Sequence, residues 1–322
     1  MHFSALTCPQ CAAPLPRQAS WRMVTCTFCG AVVTRSKSVV EAAKFREAYA
    51  RAQAHAMATG ASASRVLRLN GQRYRVLTRL GTGERTEVYL AERISPLPQR
   101  VTLKLAHSAT KPGSLADEAK ILEQLQSIKS PSAEYFTQRL PQPVRAGVYE
   151  EAAGQEREAL ILRHPCGYWG SLADVLRFAP AGIDPRHGVW IWRRILEVLA
   201  FVHESGWSHG DLTPEHFLVN SRDHGVLIIG WAKARAVADT RSIARDLMQS
   251  AWSVRALLSG GKGAPRFSSR IPAPFSDLLL RCSEDASWSA DTGARGLEQA
   301  LQTAAREAFG PPRFIPFNPT TA

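Results

Sequence analysis

Residues Gly206–Asn220 read GWSHGDLTPEHFLVN. The run GVWIWRRILEVLAFVHESG at 188–206 leads into them, with Trp192, Ile195, Leu196, Leu199 and Val202 at helical intervals. A helix buried along one face therefore delivers the chain to this stretch. After a turn comes GVLIIGWAKAR at 225–235. Between the helix and this run sits a polar loop carrying His209, Asp211 and His216. Loops held by apolar elements on both sides are where chemistry tends to reside.

The chain around this loop has 322 residues, a length that suggests about two domains. With 45% apolar and 21% charged residues it can bury a sizeable core. No apolar run approaches the ~20 residues needed to cross a bilayer. The start, MHFSALTCPQC, has neither the basic opening nor the apolar stretch of a signal peptide. The expectation is a cytoplasmic protein with no membrane partner. The net charge of +12 is uneven: residues 1–70 hold nine Lys/Arg against Glu41 and Glu47, a balance of +7. Such a segment can meet nucleic acid, anionic lipid or an acidic partner, or simply form a solvated Arg-rich surface.

Four of the six cysteines fall into two pairs, Cys8-Pro-Gln-Cys11 and Cys26-Thr-Phe-Cys29. Each C-x-x-C turn places two thiolates on one metal, and two turns close a tetrahedral zinc site. Disulfides and a redox C-x-x-C are the competing readings; a cytosolic setting opposes the first and the matched pairs oppose the second. Residues 1–37 resemble a zinc ribbon, with WRMVTCTF and AVVTR as short strands. Four sulfur ligands leave no open position, so the metal is expected to be structural. Its complex carries a net charge of −2, which lowers the segment's +7 to about +5. Ser38-Val-Val-Glu41 fits a capping box opening a helix, which fades into the linker ATGASAS at 58–64.

From about residue 70 the order of segments resembles the protein kinases. Gly206–Asn220 is similar to the family's catalytic loop, H-R-D-x-x-x-x-N, with His209 and Asp211 in the first and third places. Tyr74–Leu77 reads as a first strand, followed by Gly81-Thr-Gly83-Glu-Arg-Thr86-Glu-Val88. That run resembles G-x-G-x-x-G-x-V, with Thr86 in the third glycine place and Glu84 at the tip, although a glycine hairpin accounts for it equally well. Val101-Thr-Leu-Lys104 resembles the V-A-I-K strand, and Glu118 in SLADEAKILEQL (114–125) aligns with the helix Glu that pairs its Lys. Leu160–Leu162 fits the strand entering the hinge between lobes, and Gly170–Leu176 the helix after it. Asp246–Gly260 matches the helix that opens with a structural Asp, and 275–302 resembles the closing helices. No A-P-E motif occurs, and only 236–245 separate GWAKAR from Asp246. Whether the Pro-rich tail GPPRFIPFNPTTA binds in cis or in trans is open.

The resemblance implies an α+β, bilobal protein-kinase-like fold preceded by a small zinc ribbon and a linking helix. The implied boundaries are 38–65 for helix and linker, 66–162 for the N-lobe, 163–309 for the C-lobe and 310–322 for the tail. It also implies roles at which this sequence departs from the family. Gly230 stands at the D-F-G Asp, or Ile228 in an alternative register, and His216 stands at the loop Asn. Those two positions normally supply oxygen ligands to Mg²⁺. Thr213 replaces the loop Lys, and Gly210 the loop Arg. His209 and Asp211 can persist as holders of the loop's hydrogen bonds. The expected catalytic positions are therefore Asp211 (the base position), His209, His216 and Gly230, and the expected nucleotide positions Gly81, Gly83, Val88, Lys104 and Glu118. Three readings follow. One is a pseudokinase that binds an unidentified protein partner and holds ATP weakly or without metal. Another is an atypical Ser/Thr kinase transferring the ATP γ-phosphate. In the third, a zinc-ribbon nucleic-acid binder acts through its basic N-terminus on a kinase-like scaffold.

Overall fold

In a computed structural model the described residues are 65–95, 99–107, 113–130, 132–151, 155–237, 239–261 and 270–320, preceded by four short strands. Those strands are β1 (Phe3–Ser4), β2 (Met23–Thr25), β3 (Val32–Thr34) and β4 (Val39–Val40). β2 pairs antiparallel with β3, within the two segments read as strands from their β-branched residues. β1 pairs with β4, which corrects the helix expected to open at Ser38. Two adjacent valines favour the extended backbone and the ladder captures them. Cys8, Cys11, Cys26, Cys29 and the linker 58–64 lie outside the described residues.

The rest divides into two compact units, one ending at Cys166 and the other starting at Gly167. The first is built on a six-stranded sheet. Its strands are β5 (Val66–Leu69), β6 (Gln72–Thr82), β7 (Thr86–Arg93), β8 (Gln99–Ala106), β9 (Pro143–Glu151) and β10 (Gln155–Arg163), in the order β5-β6-β7-β8-β10-β9. The sheet starts earlier than the sequence reading placed it, because Asn70 and Gly71 (φ 45° and 76°) make the tight turn that folds β5 onto β6. Alternation along β5 sends Leu67 and Leu69 inward, where they join Tyr74, Leu103, Leu105, Tyr149 and Ile161 in one apolar cluster. Helix α1 (Ser114–Gln126) adds Leu115 and Ala119 to a second cluster with Leu160 and Ala106. Each such buried leucine contributes about 1.5–3 kcal/mol. The first N–H groups of α1 have no partner within the helix, and Glu158 on β10 accepts from Gly113 and Leu115. A carboxylate at that end also suits the helix dipole. A short helix, α2 (Ala133–Thr137), follows.

The second unit is mainly helical. β11 (Gly170–Ser171) leads into α3 (Leu172–Phe178), opened by a capping box in which Ser171 and Asp174 exchange hydrogen bonds. α4 (Pro185–Glu204) starts with Pro185 in its first turn and an Asp184 cap. It buries Trp192, Ile195, Leu196, Leu199 and Val202, the stripe read from the sequence. The chain then forms β12 (Trp207–Ser208), a 3₁₀ turn (Pro214–His216), β13 (Phe217–Asn220) and β14 (Gly225–Ile228). A second 3₁₀ turn (Trp231–Lys233) and β15 (Arg235–Ala236) follow. Helices α5 (Thr240–Ser259), α6 (Ala273–Glu284) and α7 (Ala286–Phe309, kinked at Gly293) close the unit. Asp246 thus lies inside α5 rather than at its start; Asp239 is the residue that caps it.

The tail lies on its own unit. Phe314 stacks on His224 at 4.3 Å, and His224 stacks on Trp190 at 4.2 Å. Phe317, only 5% exposed, sits 4.8 Å from His187. Burial between two aromatic rings pushes the His224 imidazole down to about 3, and nearby His187 and Arg194 push the same way.

Candidate functional site

In the first unit three strands bring the expected nucleotide positions into one row. Gly81 pairs with Val88, and Val88 pairs with Lys104, so directly opposed residues share a face. Gly81 still belongs to β6, and Gly83 opens a tight turn closed by its N–H to the Thr86 carbonyl at 2.8 Å. Neither glycine has a positive φ, and a side chain on Gly81 would meet open space. Across the row, Lys104 Nζ lies 2.6 Å from Glu118 Oε2 on α1, with the two side chains 13% and 2% exposed. Removing either partner of such a pair leaves a buried charge behind, at a cost of about 3–5 kcal/mol.

In the second unit, the loop that follows β12 hangs from α5. Asp246, fully buried, accepts the His209 N–H and the Gly210 N–H at 2.7 Å each, and His203 Nε2 donates to it at 3.0 Å. Gln249 accepts the Leu212 N–H at 2.9 Å, and Ser253 donates to the Leu212 carbonyl at 2.9 Å. Four backbone groups of a non-helical segment are thereby satisfied by one helix, which fixes a loop that has no ladder of its own. The His209 ring completes the frame: its Nε2–H donates to the Ile229 carbonyl at 2.9 Å, and its Nδ1 accepts the Asp211 N–H. Burial pushes His209 down to about 4, so it stands neutral in this tautomer.

His216 and Gly230 meet directly. The imidazole Nδ1 donates to the Asp211 carbonyl at 2.5 Å, which swings the ring over Gly230. A Cβ on Gly230 would lie 2.5 Å from His216 Nε2, so the ring occupies the space where any side chain at 230 would begin. Gly230 is also left-handed (φ 84°, ψ 44°). Ile228 is buried inside β14 and paired with Phe217, so of the two candidate registers it is Gly230 that meets His216. Lys233, from the turn just beyond, puts its ammonium 3.0 Å from Asp211 Oδ2. Nothing in the segment GWAKAR marks Lys233 in the sequence, because a turn after a left-handed glycine gives no periodic signal of where its side chains point.

Chemically, the first unit offers a buried lysine–carboxylate pair beside an open glycine edge, groups able to meet a polyphosphate. The second offers a carboxylate already paired with a lysine. Mg²⁺ requires oxygen ligands in near-octahedral geometry, while positions 216 and 230 supply an imidazole and no side chain. These residues do not fit the metal.

Fold and loop define a kinase-like protein, and comparison agrees. A family model, the lipopolysaccharide kinase (Kdo/WaaP) family, matches residues 104–259, a span running from Lys104 to the last residue of α5. Serine/threonine-protein kinase pkn2 of Myxococcus xanthus is 30% identical over 154 residues, covering 48% of this chain and 17% of that relative. Gly81, Gly83 and Val88 lie ahead of the family match.

Proposed function

We propose that this chain is a kinase-like binding and regulatory module in which phosphoryl transfer is disabled. The observation that carries this reading is the His216 ring packed on Gly230. Losing both oxygen ligands removes the charge neutralisation on which phosphoryl transfer depends. The ion pair to Lys233 also occupies the carboxylate that would act as base. The Lys104–Glu118 pair supports retained nucleotide binding that is weak and independent of Mg²⁺. The zinc ribbon is proposed on cysteine spacing: one zinc per chain, lost in Cys26→Ser, is expected, and folded protein free of zinc would refute it.

The test offers ATP with Mg²⁺ or Mn²⁺ together with a generic protein acceptor or a lipopolysaccharide acceptor. The expected result is no transfer above an Asp211→Asn control with either acceptor. Asp211-dependent transfer to either one would sink the reading in favour of an active kinase. Thermal shift with ATP in excess chelator, compared with Lys104→Ala, reports nucleotide binding separately.

A further inference from the structure

Between α5 and the start of α7 lies a groove of about 610 Å³. One wall is a stripe of α5 that includes Arg245, Met248, Gln249 and Trp252; the other is Ala286 and Ala290 on α7, whose small side chains leave the space open. The stripe runs from Thr240 to Trp252, about 18 Å of helix. The connection entering α5 runs only from 234 to 239, and Arg235–Ala236 are tied to β12. That connection has no length left to lie along the groove.

The wall is built of side chains that dominate protein interfaces. Trp252 is 42% exposed, and the Arg255 guanidinium stands 4.3 Å over its ring. Met248 adds an adaptable thioether. Trp, Arg and Met are enriched where binding energy concentrates. Arg241 already pairs with Asp239 at 4.0 Å. Arg245 is exposed and makes no ion pair among the described residues, and Asp291 is the acidic side chain in the lining. We propose that this groove docks an acidic segment of a partner protein. An aromatic or branched aliphatic anchor would lie against Trp252 and Met248, with a carboxylate on Arg245. Gln249, which holds the Leu212 N–H, lines the same groove, so an occupant that engages Gln249 acts on the backbone next to Asp211.

The inference rests on reading the chain as a binding module, but its test uses no nucleotide and no transfer assay, so the two can fail separately. A displayed library of short random peptides is panned against the full chain, and the enriched peptides are then titrated by fluorescence anisotropy. Enriched sequences are expected to combine Asp or Glu with an aromatic or aliphatic residue. Their affinity is expected to fall about tenfold or more in Arg245→Glu and in Ala290→Trp. Arg245 is exposed, so its variant reports the site even if the tryptophan disturbs folding. No enrichment, basic peptides, or binding unchanged in Arg245→Glu would each overturn the proposal. So would a concentration-dependent dimer that Arg245→Glu abolishes, since the occupant would then be a second copy.

Discussion

At the scale of single residues, the pair at 216 and 230 behaves as one unit. Gly230→Ala must place a methyl group against the His216 ring in a left-handed backbone. Overpacking and the positive φ together should cost about 2–4 kcal/mol. In His216→Ala/Gly230→Ala the ring is gone and only the backbone penalty remains. Urea unfolding of both single variants and the double should show coupling of at least about 1 kcal/mol; additive costs would mean the two positions are independent. None of this contact was legible in the sequence. The string showed which residues stand at the two positions, but not that one fills the volume left by the other. Lys233 was hidden for a similar reason, since its ion pair to Asp211 depends on a turn that only the backbone reveals.

Among the elements, α5 does more than bury apolar surface. Asp246 holds two loop N–H groups that nothing else in the loop can satisfy. Asp246→Ala leaves both unpaired, together with the His203 N–H, and should cost about 3–5 kcal/mol. Amide exchange at His209 and Gly210 should rise in the same variant; unchanged exchange would show that the carboxylate is not what fixes the loop. Asp246→Asn, which keeps one acceptor oxygen, should lose less. The elements that were legible are α4, through its apolar stripe, and β8 and α1, through Val101–Lys104 and Glu118 standing in the order that the kinase resemblance expects. Boundaries set by turns and caps were not. The Asn70-Gly71 turn is a hairpin signal that stands ahead of the strand expected at Tyr74–Leu77, and it adds β5 to the sheet. The resemblance puts Asp246 at the start of its helix, since the family's helix opens with a structural Asp, whereas the residue lies inside α5. The true cap, Asp239, stands one residue ahead of Thr240.

For the molecule as a whole, two buried histidines contribute to the loss of stability on the acid side. His209 at about 4 and His224 at about 3 both lie below the 6.5 of an exposed imidazole. The unfolded chain therefore binds protons that the folded one refuses. The stabilisation is fully present above pH 6.5 and drains away as pH falls toward 4. Unfolding near pH 5 should take up about two protons from these groups, so stability should fall by roughly 2–3 kcal/mol per pH unit there. Thermal unfolding from pH 7 to pH 4 checks this, and His209→Asn should flatten the slope. Removing residues 311–322 strips Phe314 and Phe317 from His224 and His187. In that truncation the His224 pKa, followed by NMR, should move up toward 6.5; an unmoved value would mean the strap is not what buries it. The interlock of His216 with Gly230 also constrains what can be engineered at either place. A side chain introduced at 230 alone collides with the ring. Substitutions at 230 must therefore travel with one at 216, and the two positions can be varied only as a pair.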